Sequence, residues 1–588
     1  MRVANRRRGL LDANIEQALI GDLEVLTLDT KEDHVTSPDR DPLSYQEAMA
    51  SPDSEKWKVA TFEEWDAILR NGTFQSFVEM ETAPCSDQRQ HMSLDPTPLS
   101  APADVKTIRS KWVYKKKINP DGSTRYKVRL VIRGFEQIAG TDFGETYAPV
   151  SKLSTFRLLL SIAAKFGWKV DHMDVATAFL NPKIDRETVF MSLPAGMEWV
   201  DPWLHACGVD VVRLRKALYG LRQAPKLWFD AINAFLLALG FKASQADPNL
   251  YVKGSVILLL YVDDILIIET REETQEAEKV KEHLCAQYKM TSLGTARRFL
   301  GIQIACSDEG ISLGQEDYIN AILRRFGMEE AHSMQSPMDP NVHLDNTDCE
   351  DKPADKDQYL AIIGSLMYAA LATRPDISFC VTSLSRYNQS PLTMHLTAAK
   401  RVLRYLKHTK HYRLHYSRDW TKSLAGFTDS DWAGRIATRK SIGGCVFFGY
   451  HGTGTTKSGP IHWQVKTQSV VALSTLEAEY IACSDATREA LWLRRVEMDI
   501  IKAVDPLATL RTVPIGADNK GAIKLIHSGV AKQKTKHIDI KYQHSHDEES
   551  KGNVSFHYVH TSDNPAYLLT KPLPAPKHQF LTDLIGLR

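Results

Sequence analysis

The chain has 588 residues, of which 43% are hydrophobic and 25% are charged, and its formal net charge is +1. This length is too great for one compact core and indicates about two to four domains, while the composition is typical of a globular protein and excludes a disordered chain. Because the net charge is near zero, only local clusters of charge can indicate nucleic-acid binding.

The eight cysteines are scattered and form no C-x-x-C pair. This spacing argues against zinc ribbons and against a disulfide framework, and it suits a reducing compartment. No apolar stretch approaches the ~20 residues that a membrane-spanning helix needs. The basic start MRVANRRRG is followed by no long apolar region, so a secretory signal is not expected. We therefore expect a soluble, intracellular protein with no membrane partner.

The first part of the chain combines a tether, a helix and an insertion. Residues 1–50 are polar with little sustained periodicity and predict a tether or remnant. Asp53–Asn71 predicts a helix, because its apolar residues have helical spacing and Gly72 follows as a stop. Residues near 80–105 hold several Pro, Ser and Asp residues and predict a surface insertion. The apolar positions of the helix are Trp57, Ala60, Trp65 and Ile68.

A basic hairpin is predicted next. KWVYKKKI and RYKVRLVIRGF predict two strands, and the residues at 119–122 predict the turn between them. Within residues 106–133, ten side chains are Lys or Arg and one is acidic. Lys127 and Arg129 are two residues apart and share a face of their strand. Positive charge there suits a bound triphosphate, and a solvated basic hairpin is the alternative interpretation.

Carboxylates mark the next two elements. WKVDHMDV predicts a strand with Asp174 at its end, and the apolar runs VILLLYV and ILII predict a hairpin with Asp263 and Asp264 at its tip. Turns favour Asp for structural reasons alone, which is the alternative for this pair. On neighbouring strands, Asp174 and Asp263 would hold two Mg²⁺ ions, since hard cations prefer carboxylate oxygens. Such a metal pair supports an in-line displacement at phosphate.

Between these elements, LYGLRQAPKLWF places cations beside aromatic rings. Arg222 and Lys226 lie within a few residues of Tyr219 and Trp228. Positive charge next to an aromatic plane suits the binding of a nucleotide or a single strand. The sequence therefore predicts a second basic element of the same site.

The C-terminal half begins with a predicted linker. Helix and strand signals alternate to about residue 305, which indicates mixed α and β structure. The polar stretch Ser336–Asp355 predicts the linker, and residues 358–408 have the apolar periodicity of helices. From about Leu424 to the end, strand patterns again alternate with helix patterns.

A second carboxylate cluster is predicted in this last block. GFTDSDWAG places Asp429 at the end of a strand, and Ser474 with Glu477 forms a capping box that predicts the start of a helix. Glu479 lies in the first turns of that helix, and Asp518 ends another strand. Together these residues would form a two-metal site. Taken singly, Glu479 is interpreted as a solvated helix charge and Asp518 as a helix cap.

Seven motifs in order give the chain a family resemblance. KWVYKKK, RYKVRLVIRGFEQ, DVATAFLN, LYGLRQAPKLW, YVDD, SLGTARRFLGIQI and ATRPDISF resemble the reverse transcriptase of copia-type retrotransposons, and the resemblance covers roughly residues 45–580. It implies an α+β multidomain fold: a right-hand polymerase with fingers, palm and thumb, a helical connection, and a ribonuclease H-like mixed α/β domain. The implied domains are 51–335, 336–420 and 421–588, after the tether.

The resemblance also implies roles for single residues. Asp174, Asp263 and Asp264 match the catalytic triad of the palm, with Asp174 and Asp263 as the direct metal ligands. Phe179 matches the aromatic gate that excludes a ribose 2′-OH, and Phe299–Gly301 looks like the primer-gripping hairpin. The positions expected to touch the incoming triphosphate are Lys127, Arg129 and Arg222.

For the last domain, the resemblance implies cleavage of the RNA strand of an RNA–DNA hybrid by Asp429, Glu479 and Asp518. Two Mg²⁺ ions per active site are expected, with Mn²⁺ as an alternative. The implied partners are an RNA template, a DNA primer, the RNA–DNA hybrid and deoxynucleoside triphosphates, with the integrase of the same element as a further one. The implied compartments are cytoplasmic particles of the element and the nucleus.

The sequence departs from the family at its end. Tyr567 stands where the family has a fourth carboxylate, and a phenol with a pKa near ~10 is a poor Mg²⁺ ligand at neutral pH. Asp563 is a weak substitute, and Gln543 stands where the family has His after KHIDI. We therefore expect a weakened or dead ribonuclease H beside an intact polymerase triad.

A second class of function stays open. Protease, zinc-knuckle and integrase signatures are not found in the sequence, so we expect either a processed C-terminal product or a stand-alone reading frame. The alternative to an active polymerase is a non-catalytic relic that at most binds nucleic acid. Tyr567 and Gln543 favour that alternative, whereas the three aspartates of the polymerase triad favour the enzyme.

Overall fold

The computed structural model of the protein describes most of the chain. The predicted insertion at 80–105, the predicted turn at 119–122 and most of the predicted tether lie outside the described residues. The described ranges are 41–76, 106–118, 123–184, 189–206, 209–270, 275–345, 351–419, 423–434, 438–449, 458–529 and 536–588.

The N-terminal part is built on the predicted helix, which begins at Ser54 and ends at Arg70. Its four predicted apolar residues are buried, which confirms the face inferred from their spacing. The predicted basic hairpin is also present, with Ile118 paired to Thr124 on either side of the turn. The last six residues of the predicted tether form a helix that packs on this unit. These elements are α1 (Tyr45–Ala50), α2 (Ser54–Arg70), β1 (Phe74–Ser76), β2 (Thr107–Ile108), β3 (Ser110–Ile118) and β4 (Thr124–Ile132).

A six-stranded sheet follows, with strand order β12-β5-β11-β10-β9-β8. Strands β6 and β7 do not belong to this sheet. They pair with two strands of the N-terminal part in a four-stranded sheet of order β1-β7-β6-β2. The elements of this region are α3 (Leu153–Phe166), β5 (Lys169–Val175), β6 (Phe190–Ser192), α4 (Met197–Val200), α5 (Pro202–Ala206), β7 (Val211–Leu214), α6 (Ala224–Ala238), β8 (Lys242–Ala243), β9 (Leu250–Lys253), β10 (Val256–Tyr261), β11 (Asp264–Glu269), α7 (Glu276–Gln287) and β12 (Met290–Thr295).

Burial explains why this sheet is central. All six residues of β10 are buried, as expected of an apolar run covered on both faces. In α3, every residue from Leu153 to Ala164 is buried, so this helix has no solvated face over most of its length. A helix that is buried on all sides lies in the interior of a large protein.

The predicted helical connection contains helices and one strand. Residues 413–417 alternate in burial and pair antiparallel with β15, which extends a sheet of order β13-β14-β15-β16. Three strands of this sheet precede the predicted linker, so the connection pairs with the region that the resemblance assigns to the polymerase. The elements are β13 (Arg298–Phe299), β14 (Ile302–Ser307), β15 (Gly310–Gly314), α8 (Glu316–Arg325), α9 (Lys356–Ala372), α10 (Ser378–Leu384), α11 (Thr393–His408) and β16 (Arg413–Ser417).

The last sheet has strand order β19-β18-β17-β20-β21. Its first three strands are antiparallel, and β20 is parallel to both β17 and β21. This mixed five-stranded order with helices on the sheet agrees with the ribonuclease H-like domain that the resemblance implies. The elements are β17 (Ala425–Asp431), β18 (Ile442–Phe448), β19 (Pro460–Thr467), α12 (Thr475–Ile501), β20 (Val513–Ala517), α13 (Lys520–Ser528), α14 (Lys536–Ser550), β21 (Val554–Tyr558) and α15 (Ala575–Leu584).

One apolar core joins the six-stranded sheet to the last domain. It runs from α3 through Trp463 on β19 to Ile585 and Leu587 at the end of the chain. At its centre, the buried Arg157 donates to the carbonyl oxygens of Ile461 at 2.8 Å and Leu371 at 2.7 Å. Its guanidinium also lies 4.0 Å from the centre of the Trp463 ring. The two regions therefore share their interior and do not meet only at a surface.

Among the residues that the structure describes, no helix is both long enough and apolar enough to cross a bilayer.

Candidate active sites

The first carboxylate cluster lies at one edge of the six-stranded sheet. Asp174 on β5 is the direct cross-strand partner of Asp264 on β11. Tyr261 pairs with Asp264 across the β10–β11 hairpin, so Val262 and Asp263 form its two-residue turn. The strand register thus places the three residues next to one another along the backbone, with Asp263 in the hairpin turn.

The hairpin turn is held in an unfavourable backbone conformation. Val262 has a φ of +54°, in the left-handed region that a β-branched residue rarely adopts. The Trp228 indole donates a hydrogen bond of 2.7 Å to the Val262 carbonyl oxygen. The backbone N–H of Val175 donates one of 2.9 Å to the Asp263 carbonyl oxygen. Strain of this kind persists where surrounding contacts fix the backbone, and it concentrates at functional sites.

The charge at this edge fits a bound cation. All three aspartates are half-buried, and like charges directly opposite each other on antiparallel strands are destabilising. Nε2 of His172 lies 2.8 Å from Oδ1 of Asp264, so part of this carboxylate is already engaged. The carboxylates of Asp174 and Asp263 supply oxygen atoms of the kind that a hard divalent cation prefers.

Phe179, the predicted gate, and Arg129, a predicted triphosphate contact, both contact the aromatic ring of Tyr219. Phe179 lies in a short 3₁₀ turn after β5 and is half-buried. Its ring is edge-on to Tyr219 at 5.7 Å between centres. The Arg129 guanidinium lies 4.6 Å from the centre of the same Tyr219 ring. The structure therefore places Phe179, Tyr219 and Arg129 in one row of contacts.

The other two predicted triphosphate contacts lie on the same hairpin and on the segment that packs beside it. Lys127 is half-buried on β4, opposite Lys115. Arg222 donates from Nε to the Gly134 carbonyl oxygen at 2.9 Å. Gly220 allows this packing, because its φ is +92° and a Cβ there would lie 2.1 Å from the Ile132 carbonyl oxygen.

The second carboxylate cluster converges more closely. Asp429 comes from β17, Glu479 from α12, and Asp518 from the residue after β20. One carboxylate oxygen from each lies within 4.8 Å of the others. Within the described ranges, this is the one group of three ligand-type side chains that meets this spacing.

The structure corrects the single-residue interpretations of two of these carboxylates. Glu479 is only 6% exposed, so it is not a solvated helix charge. Asn519, and not Asp518, caps α13 by accepting from the Ala522 N–H at 3.0 Å. The predicted capping box is half formed: Ser474 accepts from the Glu477 N–H, while the Glu477 carboxylate accepts from Leu473.

Hydrogen bonds orient each carboxylate of the second cluster. Oε1 of Glu479 accepts from the Ser430 backbone at 3.1 Å and from its hydroxyl at 2.9 Å. The Thr561 hydroxyl donates to Oδ2 of Asp518 at 2.7 Å. The Thr570 hydroxyl donates to Oδ2 of Asp429.

The second cluster also fits a divalent cation. Burial raises the pKa of Asp429 to about 7, and the positive charge of Lys571 partly offsets that rise. Burial and the negative charges of Asp429 and Asp518 raise the pKa of Glu479 well above its usual range. Oε2 of Glu479 is buried and has no hydrogen-bond partner. A hard cation would satisfy that oxygen and favour the ionised carboxylates.

Tyr567 brings an aromatic ring and a lysine to this cluster. Nζ of Lys571 lies 4.1 Å from the centre of the Tyr567 ring. Asp563 is exposed and does not belong to the converging group. Gln543 donates to Asp547 on its own helix at 2.7 Å. None of these three residues adds a fourth carboxylate to the described site.

Several site residues were not predicted from the sequence. His172 carries a signal, because it lies two residues before Asp174 and hence on the same face of its strand. Ser430 directly follows Asp429 and lies on the opposite face of the strand, so its position beside Asp429 in the sequence is the signal it carries. Thr570 carries none, since 141 residues separate it from the carboxylate that it contacts.

Comparisons with known proteins give a consistent result. A profile of the family described as reverse transcriptase (RNA-dependent DNA polymerase) matches residues 97–340. The retrovirus-related Pol polyprotein from transposon TNT 1-94 of Nicotiana tabacum is 33% identical over 564 residues, which cover 94% of this chain and 39% of that protein. The Pol polyprotein from transposon RE1 of Arabidopsis thaliana is 33% identical, over 92% of this chain and 34% of its own length. The chain thus spans well under half of these polyproteins.

A shorter relative is covered completely. The putative transposon Ty5-1 protein YCL074W of Saccharomyces cerevisiae is 33% identical over 327 residues, which cover 54% of this chain and 100% of that protein. Among solved structures, LC11-RNase H1 isolated from compost aligns with 26% of this chain and 94% of its own at 18% identity. Its TM-score of 0.18 is too low to support a conclusion.

Proposed function

Because this chain belongs to the copia-type retrotransposon Pol polyproteins, and corresponds to their reverse transcriptase and ribonuclease H region, we propose that it is an RNA-directed DNA polymerase. Polymerisation is assigned to the six-stranded sheet, which corresponds to the palm, and to Asp174, Asp263 and Asp264. The ribonuclease H-like domain is assigned a weakened activity.

One observation carries the polymerase assignment. Asp174 and Asp264 are direct cross-strand partners, and the turn that presents Asp263 is held with Val262 at a φ of +54°. A turn selected only for stability would place Gly, Asn or Asp at a position of positive φ. A valine held there by Trp228 supports a requirement for the orientation of the neighbouring carboxylates.

The proposed reaction is the attack of a primer 3′-OH on the α-phosphate of a deoxynucleoside triphosphate, with release of pyrophosphate. Two Mg²⁺ ions bound to Asp174 and Asp263 would stabilise the charge on the attacking and leaving oxygens. Lys127, Arg129 and Arg222 bind the triphosphate through charge-assisted hydrogen bonds. Phe179 excludes a 2′-OH and selects deoxynucleotides, since that group is the difference between the two sugars.

The test is incorporation of labelled dTTP on poly(rA)/oligo(dT) with Mg²⁺. We expect the wild type to extend the primer and Asp263→Asn to lose extension. Glu282→Gln is the matched control, because it neutralises one exposed carboxylate on α7. A folded wild type that does not extend the primer would contradict the proposal. The non-catalytic relic, which Tyr567 favours, is then the remaining interpretation.

The ribonuclease assignment has its own test, cleavage of a labelled RNA–DNA hybrid with Mg²⁺. We expect Tyr567→Asp to raise the cleavage rate at least about tenfold, the lower bound for changing even an outer partner of a metal site. Tyr567→Phe is the matched control, because it keeps the ring over Lys571 and supplies no ligand. A wild type that already cleaves as fast as Tyr567→Asp contradicts the weakened activity.

A further inference from the structure

We propose that His172 is a positioning residue of the polymerase site, which orients the Asp264 carboxylate and links it to the hairpin at Phe299. This inference rests on the proposed polymerase function. His172 is not among the site residues predicted from the sequence, and the proposed reaction assigns it no role. It is nevertheless the side chain that the described structure places in hydrogen-bond contact with Asp264.

The strand register brings the two side chains together. His172 and Asp174 lie two residues apart on β5 and share a face of the sheet. Because Asp264 is directly opposite Asp174, His172 is its diagonal neighbour across the strands. A long side chain reaches across that diagonal. Nε2 of His172 and Oδ1 of Asp264 are 2.8 Å apart, the distance of a charge-assisted hydrogen bond.

The chemistry of the pair fixes the direction of the hydrogen bond. An ionised carboxylate only accepts, so Nε2 of His172 must carry the proton and donate it to Oδ1 of Asp264. One oxygen of this carboxylate is therefore engaged within the protein.

The imidazole is itself held by aromatic packing. His172 is 8% exposed, and its ring is edge-on to Phe299 at 5.8 Å between centres. Phe299 is 1% exposed and stacks on Phe156 of α3 at 5.1 Å. It also contacts Tyr261, the last residue of β10 before the hairpin turn, at 6.4 Å. His172 thus has little freedom to move away from Asp264.

This arrangement joins two parts of the site that the family resemblance treats separately. Phe299 opens the Phe299–Gly301 segment, which resembles the primer-gripping hairpin. His172 therefore lies between the carboxylate edge and the segment expected to hold the primer end. Without its hydrogen bond, the Asp264 carboxylate would be free to rotate beside Asp174, where two negative charges face each other.

The expected effect is on metal binding before turnover. Removing a hydrogen-bond partner of a metal-site carboxylate lowers metal affinity by about 10–100-fold in characterised sites. We expect His172→Leu to show that loss, because leucine fills the buried space without donating. His172→Gln should recover most of the affinity, since its amide N–H reaches a similar position and donates.

The experiment is an Mn²⁺ titration followed by electron paramagnetic resonance. It uses the full chain with an RNA template, a dideoxy-terminated primer and dTTP, so that no turnover occurs. All proteins carry Asp518→Asn to weaken Mn²⁺ binding at the second carboxylate cluster. His172→Leu, His172→Gln and Asp263→Asn are compared with His283→Leu, which removes an exposed histidine of α7.

Each outcome has one meaning. A weakened Mn²⁺ affinity in His172→Leu, with recovery in His172→Gln, supports the positioning role. If both variants lose affinity and thermal stability together, His172 is only structural and the inference fails. If His172→Leu binds Mn²⁺ like the wild type while Asp263→Asn does not, the inference fails and the polymerase site stands. If Asp263→Asn also binds like the wild type, the proposed function itself is contradicted.

Discussion

At the scale of single residues, protons and metal ions compete for the same buried oxygens. Asp429 is 1% exposed, and burial raises its pKa to about 7. Burial also raises the pKa of Glu479 well above its usual range, and the charges of Asp429 and Asp518 contribute to that rise. Without a cation, the folded protein therefore holds protons that the unfolded chain releases.

The stability of the metal-free protein follows from that difference. A carboxyl whose pKa is raised on folding contributes stability fully present near pH 4, which is lost as the pH rises towards the folded value of about 7. We expect Asp429→Asn to unfold at a higher temperature than the wild type at pH 7.5 in EDTA. The unfolding temperature should rise by roughly 2–4 °C for each kcal/mol that the substitution adds to the free energy of unfolding.

The control for this prediction is the pH itself. Near pH 4 the two proteins should unfold at nearly the same temperature, because Asp429 is then neutral in the folded state. Added Mg²⁺ should reduce the difference in unfolding temperature between the two proteins at pH 7.5, since a bound cation favours the ionised carboxylate. Thermal unfolding followed by circular dichroism measures both effects, and an Asn variant less stable than the wild type in EDTA would contradict the burial argument.

Local patterns predicted the carboxylates but not their partners. Asp174, Asp263 and Asp429 each follow an apolar run, and the structure places them at strand ends or turns as expected. The His172–Asp264 contact depends on the register of two strands, which period-2 patterns alone leave open. The Thr570–Asp429 contact depends on the path of the whole domain.

At the scale of elements, the ATRPDISF segment forms a fully buried ion pair. Arg374 donates to both carboxylate oxygens of Asp376, at 3.0 and 2.6 Å, and to the Thr409 carbonyl oxygen at 3.0 Å. Tyr405 donates to Oδ2 of Asp376 at 2.7 Å. His578 of α15 contacts the Asp376 carbonyl oxygen at 3.1 Å. This network connects α11 and α15 through the turn between α9 and α10.

Breaking this pair should strongly destabilise the protein. Arg374→Met leaves the Asp376 charge buried without its partner, which costs about 3–5 kcal/mol in comparable sites. Arg298→Met is the matched control, because Arg298 pairs with Asp317 on the surface and such pairs contribute about 0–1 kcal/mol. Urea unfolding measures both variants. Equal midpoints would show that the buried network does not hold these helices.

The pairing of Arg374 with Asp376 was not predicted from the sequence. The sequence marks Arg374 and Asp376 as part of a family motif, but two charges in an apolar stretch do not reveal that they pair internally. The strand β16 was missed for another reason. Its five residues lie in a segment interpreted as helical, and only pairing with β15 gives their alternation a face to bury.

At the scale of the whole molecule, the shared core makes the two regions that hold the carboxylate clusters one structural body. The sequence predicted separate domains at 51–335 and 421–588, and those boundaries remain predictions. Apolar periodicity shows which face of an element is buried, but not which element covers it. The contacts of Arg157 with Ile461 and Leu371 therefore had no signal in the sequence.

Truncation tests the shared core. We expect a chain ending at residue 420 to expose α3 and to aggregate, because the apolar residues of β19 and α12 that cover this helix are lost. The matched control is the full chain with a protease site inserted between 420 and 423 and cut after folding, which retains all contacts. Size-exclusion chromatography distinguishes them. A monomeric, cooperatively folded truncated chain would contradict the shared core.

The position of α3 in the sequence also determines when its contacts can form during synthesis. The carbonyl group of Ile461, which Arg157 contacts, lies 304 residues further along the chain. At about 5–20 residues per second, a ribosome takes roughly 15–60 s to make that length. Throughout this interval, a helix that is buried on all sides in the folded protein lacks part of the surface that covers it. We therefore expect the nascent chain to be prone to aggregation at Leu153–Ala164 until the last domain has been made.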